Sequence, residues 1–325
     1  YLNTVGGQDE LVFDGGSFLV NGVGELQYQA NQFKEEIFHF DLELESVENH
    51  PSSSLQIREK IHEIDFETNY TQLDKYEEIY SALKLGLRDY VQKNKFQKVL
   101  VGLSGGIDSA LTATIAVDAI GESNVIGVAM PSKYNSPESL EDAKTLAENL
   151  GIEFKIIEIE EIVDSLRKKI SENISEDLSS VTDENLQSRV RGNLLMALSN
   201  QTGAMVVSTG NKSEMAVGYS TLYGDLAGGF AVLKDLYKTE VYNLSKFRNS
   251  ISLVIPENTI TKEPSAELRP DQLDSDSLPE YELLDKILFM YIEQDASSEK
   301  IISSGINKEI VYDVLAKVDR NEYKR

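Results

Sequence analysis

A glycine- and serine-rich hexapeptide, SGGIDS, begins at Ser104 and contains the residue types that bind phosphate. Gly105 and Gly106 allow the backbone to approach an anion closely, while Ser104 and Ser109 supply hydroxyl donors. Asp108 is a carboxylate beside the expected anion, and it would repel phosphate unless a divalent cation lay between them. The hexapeptide therefore predicts a phosphate site with Mg²⁺. The alternative is a tight turn in which Asp108 only caps a helix.

Alternating strand and helix patterns place this hexapeptide directly after a buried strand. The apolar run Lys98–Leu103 is typical of a parallel strand, and a helix of small residues is predicted from Asp108 to Ile120. The pattern then repeats, which predicts an α/β fold with a doubly wound, Rossmann-like parallel sheet and extra C-terminal helices. The other predicted strands are Val125–Met130, Phe154–Ile159 and Ala204–Ser208, and the other predicted helices are Tyr76–Asn94, Pro137–Leu150 and Asp183–Asn200.

The first 74 residues have a different pattern. Two short apolar runs, Asp9–Phe13 and Ser17–Asn21, flank the turn-forming Asp14–Gly16 and predict a hairpin around it. The segment Phe33–Leu44 alternates apolar and polar residues, as a half-buried strand does. Residues 46–74 are polar and predict a linker.

Composition limits the chemistry that the chain can perform. Its 31 basic and 55 acidic residues give 325 residues a net charge of −24, which argues against a nucleic-acid partner bound by charge neutralisation. The absence of Cys excludes disulfides, thiolate zinc sites and a cysteine nucleophile. The three histidines, His39, His50 and His62, leave the rest of the chain without a histidine-based triad. No segment is apolar enough to span a membrane, so we expect a cytoplasmic protein.

The hexapeptide after KVLVGL resembles the pyrophosphatase loop of the N-type ATP pyrophosphatases, which adenylate a substrate and release pyrophosphate. Four later segments, in the same order, resemble the NAD synthetase family within that group. The resemblance spans Tyr76 to about Leu284 and implies an adenine nucleotide alpha hydrolase type of fold. It also implies ATP-dependent amidation of deamido-NAD to NAD, a C–N ligase reaction that releases AMP. The four segments are MPSKYNS from Met130, ENLQSRVR from Glu184, STGNKSEMAVGYSTLYGD from Ser208 and KEPSAELRP from Lys262.

The same resemblance implies roles for individual residues. Asn185 and Arg189 lie four apart and share a helix face, which suits an anionic ligand, although a solvated helix face is the commoner reason for such spacing. Residues 262–280 correspond to a flexible lid over ATP. Mg²⁺ is expected at Asp108 and Glu214, and the catalytic residues are expected to be Asp108, Lys238 and Asp225. The ATP contacts are expected at Ser104, Gly105, Gly106, Asp108, Ser109, Thr209, Lys238 and Ser265, and the deamido-NAD contacts at Asn185, Arg189 and Asp225.

The segment Val5–Asn21 resembles the last part of the nitrilase-like glutaminase domain that precedes the synthetase in glutamine-dependent NAD synthetases. We therefore expect residues 1–45 to be the C-terminal remnant of that domain, 46–74 to be a linker and 75–325 to be the synthetase domain. An alternative is that the first residues form an edge sheet on the synthetase domain. Because the family glutaminase uses a Cys and this chain has none, its ammonia should come from free ammonium.

Two other kinds of protein could contain this phosphate loop. A tRNA-thiolating pyrophosphatase would need a catalytic Cys and a basic RNA-binding face, both of which this acidic sequence lacks. A nucleotide-sensing module that binds without turnover stays an alternative. The family also implies a homodimer or a higher homo-oligomer.

Overall fold

A computed structural model describes residues 1–39, 70–174 and 177–324. The chain divides into two compact units, Tyr1–Asp89 and Tyr90–Arg325. Most of the predicted linker, and the second half of the strand predicted at 33–44, lie outside the described residues. Within those residues, no helix is long and apolar enough to cross a membrane.

The first unit contains two small antiparallel sheets. β1 (Val5–Gln8) pairs with β2 (Leu11–Asp14), and β3 (Phe18–Val20) pairs with β4 (Leu26–Gln29). The hairpin predicted around residues 14–16 is therefore wrong, since the chain reverses on either side of that segment instead. Gly15 there has a φ of +76°, which redirects the chain between the two sheets rather than closing a turn.

The strand predicted at 33–44 is also wrong over its described part, because residues 33–39 form no strand. Phe33 has a φ of +59°, in the left-handed region, which interrupts an extended backbone. The Glu36 carboxylate closes a local turn by accepting hydrogen bonds from the backbone N–H and the side-chain amide of Asn31.

The second unit contains the predicted doubly wound sheet. Its five parallel strands have the order β7-β6-β5-β8-β9, with β5 in the centre. The strands are β5 (Val99–Gly102), β6 (Val125–Ala129), β7 (Glu153–Ile156), β8 (Met205–Ser208) and β9 (Phe230–Ala231). Helix α1 (Lys75–Lys93) begins in the first unit and ends in the second. The helices within the second unit are α2 (Ile107–Ile120), α3 (Pro137–Leu150), α4 (Glu160–Ser171), α5 (Ser180–Thr202), α6 (Lys212–Val217), α7 (Lys238–Ile251), α8 (Glu257–Thr261), α9 (Tyr281–Leu288), α10 (Ser298–Ser303) and α11 (Lys308–Arg320).

The strand order fixes where a ligand can bind. From β5 the chain moves outward through β6 to β7, and then crosses back to place β8 on the other side of β5. Connections that diverge from neighbouring parallel strands leave a crevice beyond their carboxyl ends. Ser104 follows β5 and Thr209 follows β8, so both residues lie at this crevice.

The predicted C-terminal helices are present and hold the crevice residues in place. α9 and α11 bury apolar side chains such as Leu284, Ile287 and Val314 in a cluster with Ala216 and Val217 of α6. A buried apolar cluster of this kind anchors the short helix α6, which would be unstable alone. Residues 268–284 are rich in Pro, Asp and Ser, which predicts a loop, but α9 begins at Tyr281 and so takes up the last four of them.

Candidate active site

Backbone N–H groups of the SGGIDS loop donate hydrogen bonds to the hydroxyl groups of its own two serines. Ser104 Oγ accepts a hydrogen bond from Gly106 N (3.1 Å), and Ser109 Oγ accepts one from Ser104 N (3.2 Å). Gly105 has a φ of +81°, and a Cβ there would lie 2.2 Å from the carbonyl oxygen of Ser139. Only glycine fits such a position, because the loop packs closely against Ser139 of α3. The close approach of the glycines to an anion stays a prediction.

Asp108 lies in the first turn of α2 but does not cap this helix. Gly106 is the N-cap of α2 and makes no side-chain cap. The Asp108 carboxylate instead accepts hydrogen bonds from Asn211 Nδ2 (2.7 Å) and Lys238 Nζ (2.5 Å). The reading of Asp108 as a simple cap is therefore wrong, and its carboxylate belongs to a tertiary cluster.

Two carboxylates converge on one buried ammonium group. Lys238 Nζ donates to Asp108 Oδ2 and to Glu214 Oε1 (2.9 Å), and only 4% of the Lys238 side chain is exposed. Asn211 caps α6 and accepts from Glu214 N, which fixes the start of the helix that carries this carboxylate. Ser213 Oγ accepts from Lys238 N (2.9 Å) and so fixes the start of α7.

The negative charge of this cluster exceeds its positive charge. Burial raises the pKa of Glu214 to about 7, and the neighbouring charge of Asp108 adds to that rise while Lys238 opposes it. Burial also raises the pKa of Asp274. Burial lowers the pKa of Lys238, but the two carboxylates outweigh it and raise the pKa overall. A buried group of carboxylates with a single cation attracts further positive charge.

A cavity of about 590 Å³ opens beside this cluster at the carboxyl ends of β5, β6 and β8. Ten of the twelve residues that the sequence predicted for the site line it. Gly105 does not line it, because it turns towards α3, and Arg189 lies outside it. The ten are Ser104, Gly106, Asp108, Ser109, Asn185, Thr209, Glu214, Asp225, Lys238 and Ser265.

The helix α5 presents Asn185 to the cavity and Arg189 to a neighbouring groove. Asn185 Oδ1 accepts from Thr221 Oγ1 (2.7 Å), whereas Arg189 Nε donates to the carbonyl oxygen of Leu222 (3.2 Å). The four-residue spacing placed both side chains on one face, but the edge of the cavity falls between them. The structure thus does not bring Arg189 to the cavity.

A different arginine of α5 reaches the cavity. Arg191 donates to the carbonyl oxygen of Met130 (3.0 Å) and to Asn135 Oδ1 (3.1 Å). Burial lowers its pKa to about 10, an effect that the charges of Glu267 and Asp225 partly offset. The sequence indicates Arg191 as it indicates Arg189, because Arg191 lies four residues after Gln187 and shares a helix face with it.

The predicted lid segment lies along the cavity wall and is tied down by side chains. Glu267 accepts from Asn135 Nδ2 and Ser139 Oγ (both 2.8 Å), and Gln187 Nε2 donates to the carbonyl oxygen of Leu268 (2.9 Å). Ser265 Oγ donates to the carbonyl oxygen of Gln272 (2.5 Å), which shapes the segment itself.

Two hydrogen bonds fix the Asp225 carboxylate on the cavity wall. Its Oδ1 accepts from Ser188 Oγ (3.1 Å) and from Thr221 N (2.8 Å). Burial raises the pKa of Asp225 in spite of these bonds.

Tyr281 was not predicted as a site residue. Its hydroxyl donates to Asp274 Oδ2 (2.7 Å) and lies 3.5 Å from Glu214 Oε1. A lone Tyr after a polar loop carries no periodic signal.

The donor set fits a magnesium ion that shares its coordination with substrate phosphates. Asp108 and Glu214 supply two carboxylates close enough to share one cation, as their common bond to Lys238 shows. Among the described residues, no group of three or more Asp, Glu, His or Cys side chains is arranged to hold a metal ion. One or two carboxylates together with phosphate oxygens are what Mg²⁺ commonly uses.

The fold and the crevice define a doubly wound α/β protein with a glycine-rich loop at its topological switch point. The chain belongs to the NAD synthase family, whose model matches residues 79–325.

Relatives and solved structures agree with this assignment. The chain is 52% identical over 327 residues to the glutamine-dependent NAD(+) synthetase of Acinetobacter baylyi, and the match covers 100% of the chain and 58% of that protein. The chain thus spans less than two thirds of the curated relatives that it matches. The glutamine-dependent NAD+ synthetase of Acinetobacter baumannii in complex with ADP has a TM-score of 0.69 and 46% identity, covering 100% of this chain and 57% of that one. The NH3-dependent NAD synthetase of Campylobacter jejuni, in complex with nitrate, has a TM-score of 0.63 and 32% identity, covering 78% and 96%.

Proposed function

We propose that this chain catalyses the ATP-dependent amidation of deamido-NAD to NAD, with release of AMP and pyrophosphate. The observation that carries the proposal is the Asp108–Lys238–Glu214 cluster beside the glycine-rich loop, in a chain that the NAD synthase model matches over residues 79–325. The ADP complex of the Acinetobacter baumannii relative supports ATP as the nucleotide. The NH3-dependent relative from Campylobacter jejuni, matched almost end to end, supports ammonia as a nitrogen source.

The reaction would run in two steps. The nicotinate carboxylate of deamido-NAD attacks the α-phosphorus of ATP, and pyrophosphate leaves into the loop that carries Ser104 and Ser109. Ammonia then attacks the adenylated carboxyl carbon, and AMP leaves as NAD forms. Lys238 stabilises charge that builds on the phosphates, because a buried cation acts strongly where water is excluded. Asn185 and Asp225 are proposed to bind deamido-NAD in the cavity, and Arg189 to contact it from the neighbouring groove. Thr209 and Ser265 are proposed to bind ATP.

Asp108 and Glu214 would hold Mg²⁺, since their carboxylates are the pair that converges on one cation. When bound, the ion supplies positive charge that screens the phosphates from these carboxylates. The loop's own donors, such as Gly106 N and Ser109 Oγ, orient the pyrophosphate.

We further propose that residues 1–45 correspond to the end of a glutaminase domain, 46–74 to a linker and 75–325 to the synthetase domain. The full coverage of this chain by relatives nearly twice its length supports that division. A homodimer or higher homo-oligomer, the absence of a nucleic-acid partner and a cytoplasmic location remain predictions.

The decisive experiment supplies the chain with ATP, Mg²⁺ and ammonium chloride together with deamido-NAD labelled with ¹⁸O in its carboxylate. We expect NAD and AMP in equal amounts, with one labelled oxygen in each AMP, because adenylation transfers that atom. Glutamine in place of ammonium should give no NAD. Unlabelled AMP would refute the adenylated intermediate. Nucleotide binding without any product would instead indicate a sensing module, and NAD formation from glutamine would overturn the assignment of the nitrogen source.

A further inference from the structure

The guanidinium group of Arg191 is a cation on the cavity wall whose hydrogen bonds go only to neutral groups. Its Nε atom donates to the carbonyl oxygen of Met130 (3.0 Å), and its Nη2 atom donates to Asn135 Oδ1 (3.1 Å). Among the residues that the structure describes, none accepts a hydrogen bond from its Nη1 atom, and that atom is not sealed in the core. The bonded edge is the Nε side, so the outer end of the planar group can still bind a ligand.

Other part-buried arginines of this chain have carboxylate partners. Arg248 donates two hydrogen bonds to the carboxylate of Asp118 (2.6 and 3.1 Å), and Arg167 donates two to that of Asp183 (2.5 and 2.9 Å). Within the described part of the chain, Arg191 has no carboxylate at ion-pair distance, although the sequence contains 55 acidic residues. A part-buried cation of this kind is stabilised by an anion, and substrates supply the anions of this cavity.

The carboxylates nearest to Arg191 are engaged with other groups. The two oxygens of Glu267 accept hydrogen bonds from Asn135 and Ser139, and Asp225 accepts two of its own. Burial lowers the pKa of Arg191 to about 10, and the charges of Glu267 and Asp225 partly offset this effect. The guanidinium therefore stays charged at neutral pH.

The register of the sheet places Arg191 beside the glycine-rich loop. β5 and β6 pair Gly102 with Val128. Ser104 and Met130 each follow two residues later, so they lie at neighbouring positions along the carboxyl edge of the sheet. Adjacent strands are about 4.8 Å apart. Because Arg191 donates to the carbonyl oxygen of Met130, its guanidinium lies close to the first residue of the loop.

We propose that Arg191 binds the α-phosphate of ATP through the outer end of its guanidinium group. This inference rests on the proposed function, in which the β- and γ-phosphates leave as pyrophosphate in the glycine-rich loop. The α-phosphate is bonded to the β-phosphate and so lies at the edge of that loop, where Arg191 is found. A guanidinium group donates to two phosphate oxygens at once, which a point charge such as a lysine does not do.

The first step of the reaction balances without a proton transfer. An oxygen of the nicotinate carboxylate forms a bond to the α-phosphorus, and the bond from that phosphorus to the bridging oxygen of the β-phosphate breaks. The electron pair of the broken bond leaves with pyrophosphate. Arg191 keeps its proton and stabilises the charge on the non-bridging oxygens of the α-phosphate. It is therefore a catalytic residue of the adenylation step.

The substitution Arg191→Gln removes the charge together with the contacts to Met130 and Asn135. Two ligands separate these losses, because AMP and adenosine share the nucleoside and differ only in the phosphate that ATP carries in the α position. The matched control is Arg167→Gln. It removes an equal charge from a side chain that contacts α5 at Asp183 instead of facing the cavity.

Binding of both ligands is measured by calorimetry in EDTA, with deamido-NAD at saturation so that AMP cannot occupy its site. We expect Arg191→Gln to raise the Kd for AMP by about tenfold or more, as loss of charged hydrogen bonds does. The Kd for adenosine, and that for deamido-NAD titrated alone, should not change. Exchange of pyrophosphate into ATP, with Mg²⁺ and deamido-NAD, should slow by about tenfold or more. Arg167→Gln should match the unsubstituted chain in every measurement.

An unchanged Kd for AMP would overturn the proposal, as would an equal loss with adenosine or a loss confined to deamido-NAD. If Arg191→Gln does not fold, Arg191→Lys carries the test. Lysine keeps the charge without the fork, so the Kd for AMP should rise by about threefold and that for adenosine should not change. An AMP affinity equal to that of the unsubstituted chain would equally overturn it. Failure of the unsubstituted chain to form NAD, with the AMP contrast between the variants intact, would refute the proposed function instead.

Discussion

Replacing Lys238 by Met removes the cation from a buried cluster and keeps most of the apolar stem. The Lys238 side chain is 4% exposed, and its partners Asp108 and Glu214 are 17% and 18% exposed. Two carboxylates would then remain buried without a cation. Breaking a buried ion pair in this way costs about 3–5 kcal/mol.

Lys212 offers a matched control, because it also bridges two carboxylates but does so at the surface. Its partners Asp235 and Glu293 are 85% and 38% exposed, so water can solvate them when the lysine is lost. Surface pairs of this kind contribute about 0–1 kcal/mol. The expected difference between the two variants is therefore about 3 kcal/mol in the free energy of unfolding.

The assay is urea unfolding of Lys238→Met and Lys212→Met in EDTA, followed by far-ultraviolet circular dichroism. A second variant that adds Glu214→Gln to Lys238→Met should recover about 1–3 kcal/mol, because one unpaired carboxylate is then gone. Addition of Mg²⁺ should stabilise Lys238→Met more than the unsubstituted chain. Equal losses for the two lysines would refute the reasoning, since burial would then not decide the cost.

Three further predictions concern other parts of the chain. Asp108→Asn should lose most NAD formation yet keep the circular dichroism spectrum, and a near-normal rate would show that the metal role is misplaced. Gly105→Ala should weaken ATP binding by about tenfold or more in calorimetry, because its Cβ would lie 2.2 Å from Ser139 O. Burial opposes the charged form of Glu160, but the hydrogen bonds from Lys133 and Arg167 outweigh it and lower its pKa to about 2. Glu160→Gln should therefore reduce the free energy of unfolding at pH 7, and this difference should vanish as the pH falls from about 4.5 towards 2.

Each of these has an internal control. Gly203 has a φ of +70° with nothing within 4 Å of an added Cβ, so Gly203→Ala isolates backbone strain from the clash at Gly105. Asp118→Asn changes a carboxylate on the same helix as Asp108, but its partner is Arg248 (2.6 Å) rather than the cluster. Glu148→Gln removes a carboxylate from an exposed pair with Lys144, and its loss should cost about 0–1 kcal/mol.

The sheet could be predicted from the sequence because each central strand is an uninterrupted apolar run. Val99–Gly102, Val125–Ala129 and Met205–Ser208 are buried on both faces, so burial and composition agree. β9 was not predicted, since it has two residues, Phe230 and Ala231, after a glycine-rich stretch. The pairing of β1 with β2 and of β3 with β4 also could not be predicted. The turn-forming residues 14–16 suggested a hairpin, whereas the left-handed backbone at Gly15 leads the chain from one small sheet to the other.

The candidate site could be predicted where residues follow strands. Ser104 and Thr209 come directly after apolar runs, and parallel strands end at one edge of the sheet. Asp274 and Tyr281 could not be found this way, since their position depends on how the segment after α8 crosses the cavity. Helical spacing shows which side chains share a face of α5, but it does not show where the cavity ends along that helix. The sequence alone therefore could not show that Arg191 lines the cavity while Arg189 lies in the neighbouring groove.

The Asp108–Lys238 contact joins residues that are 130 positions apart. Closing so long a loop is slow, because the chain must lose much of its freedom before the contact forms. The charge cluster therefore depends on contacts between residues that are far apart in the sequence. A chain still emerging from the ribosome would carry the glycine-rich loop long before Lys238 of α7 could reach Asp108 of α2.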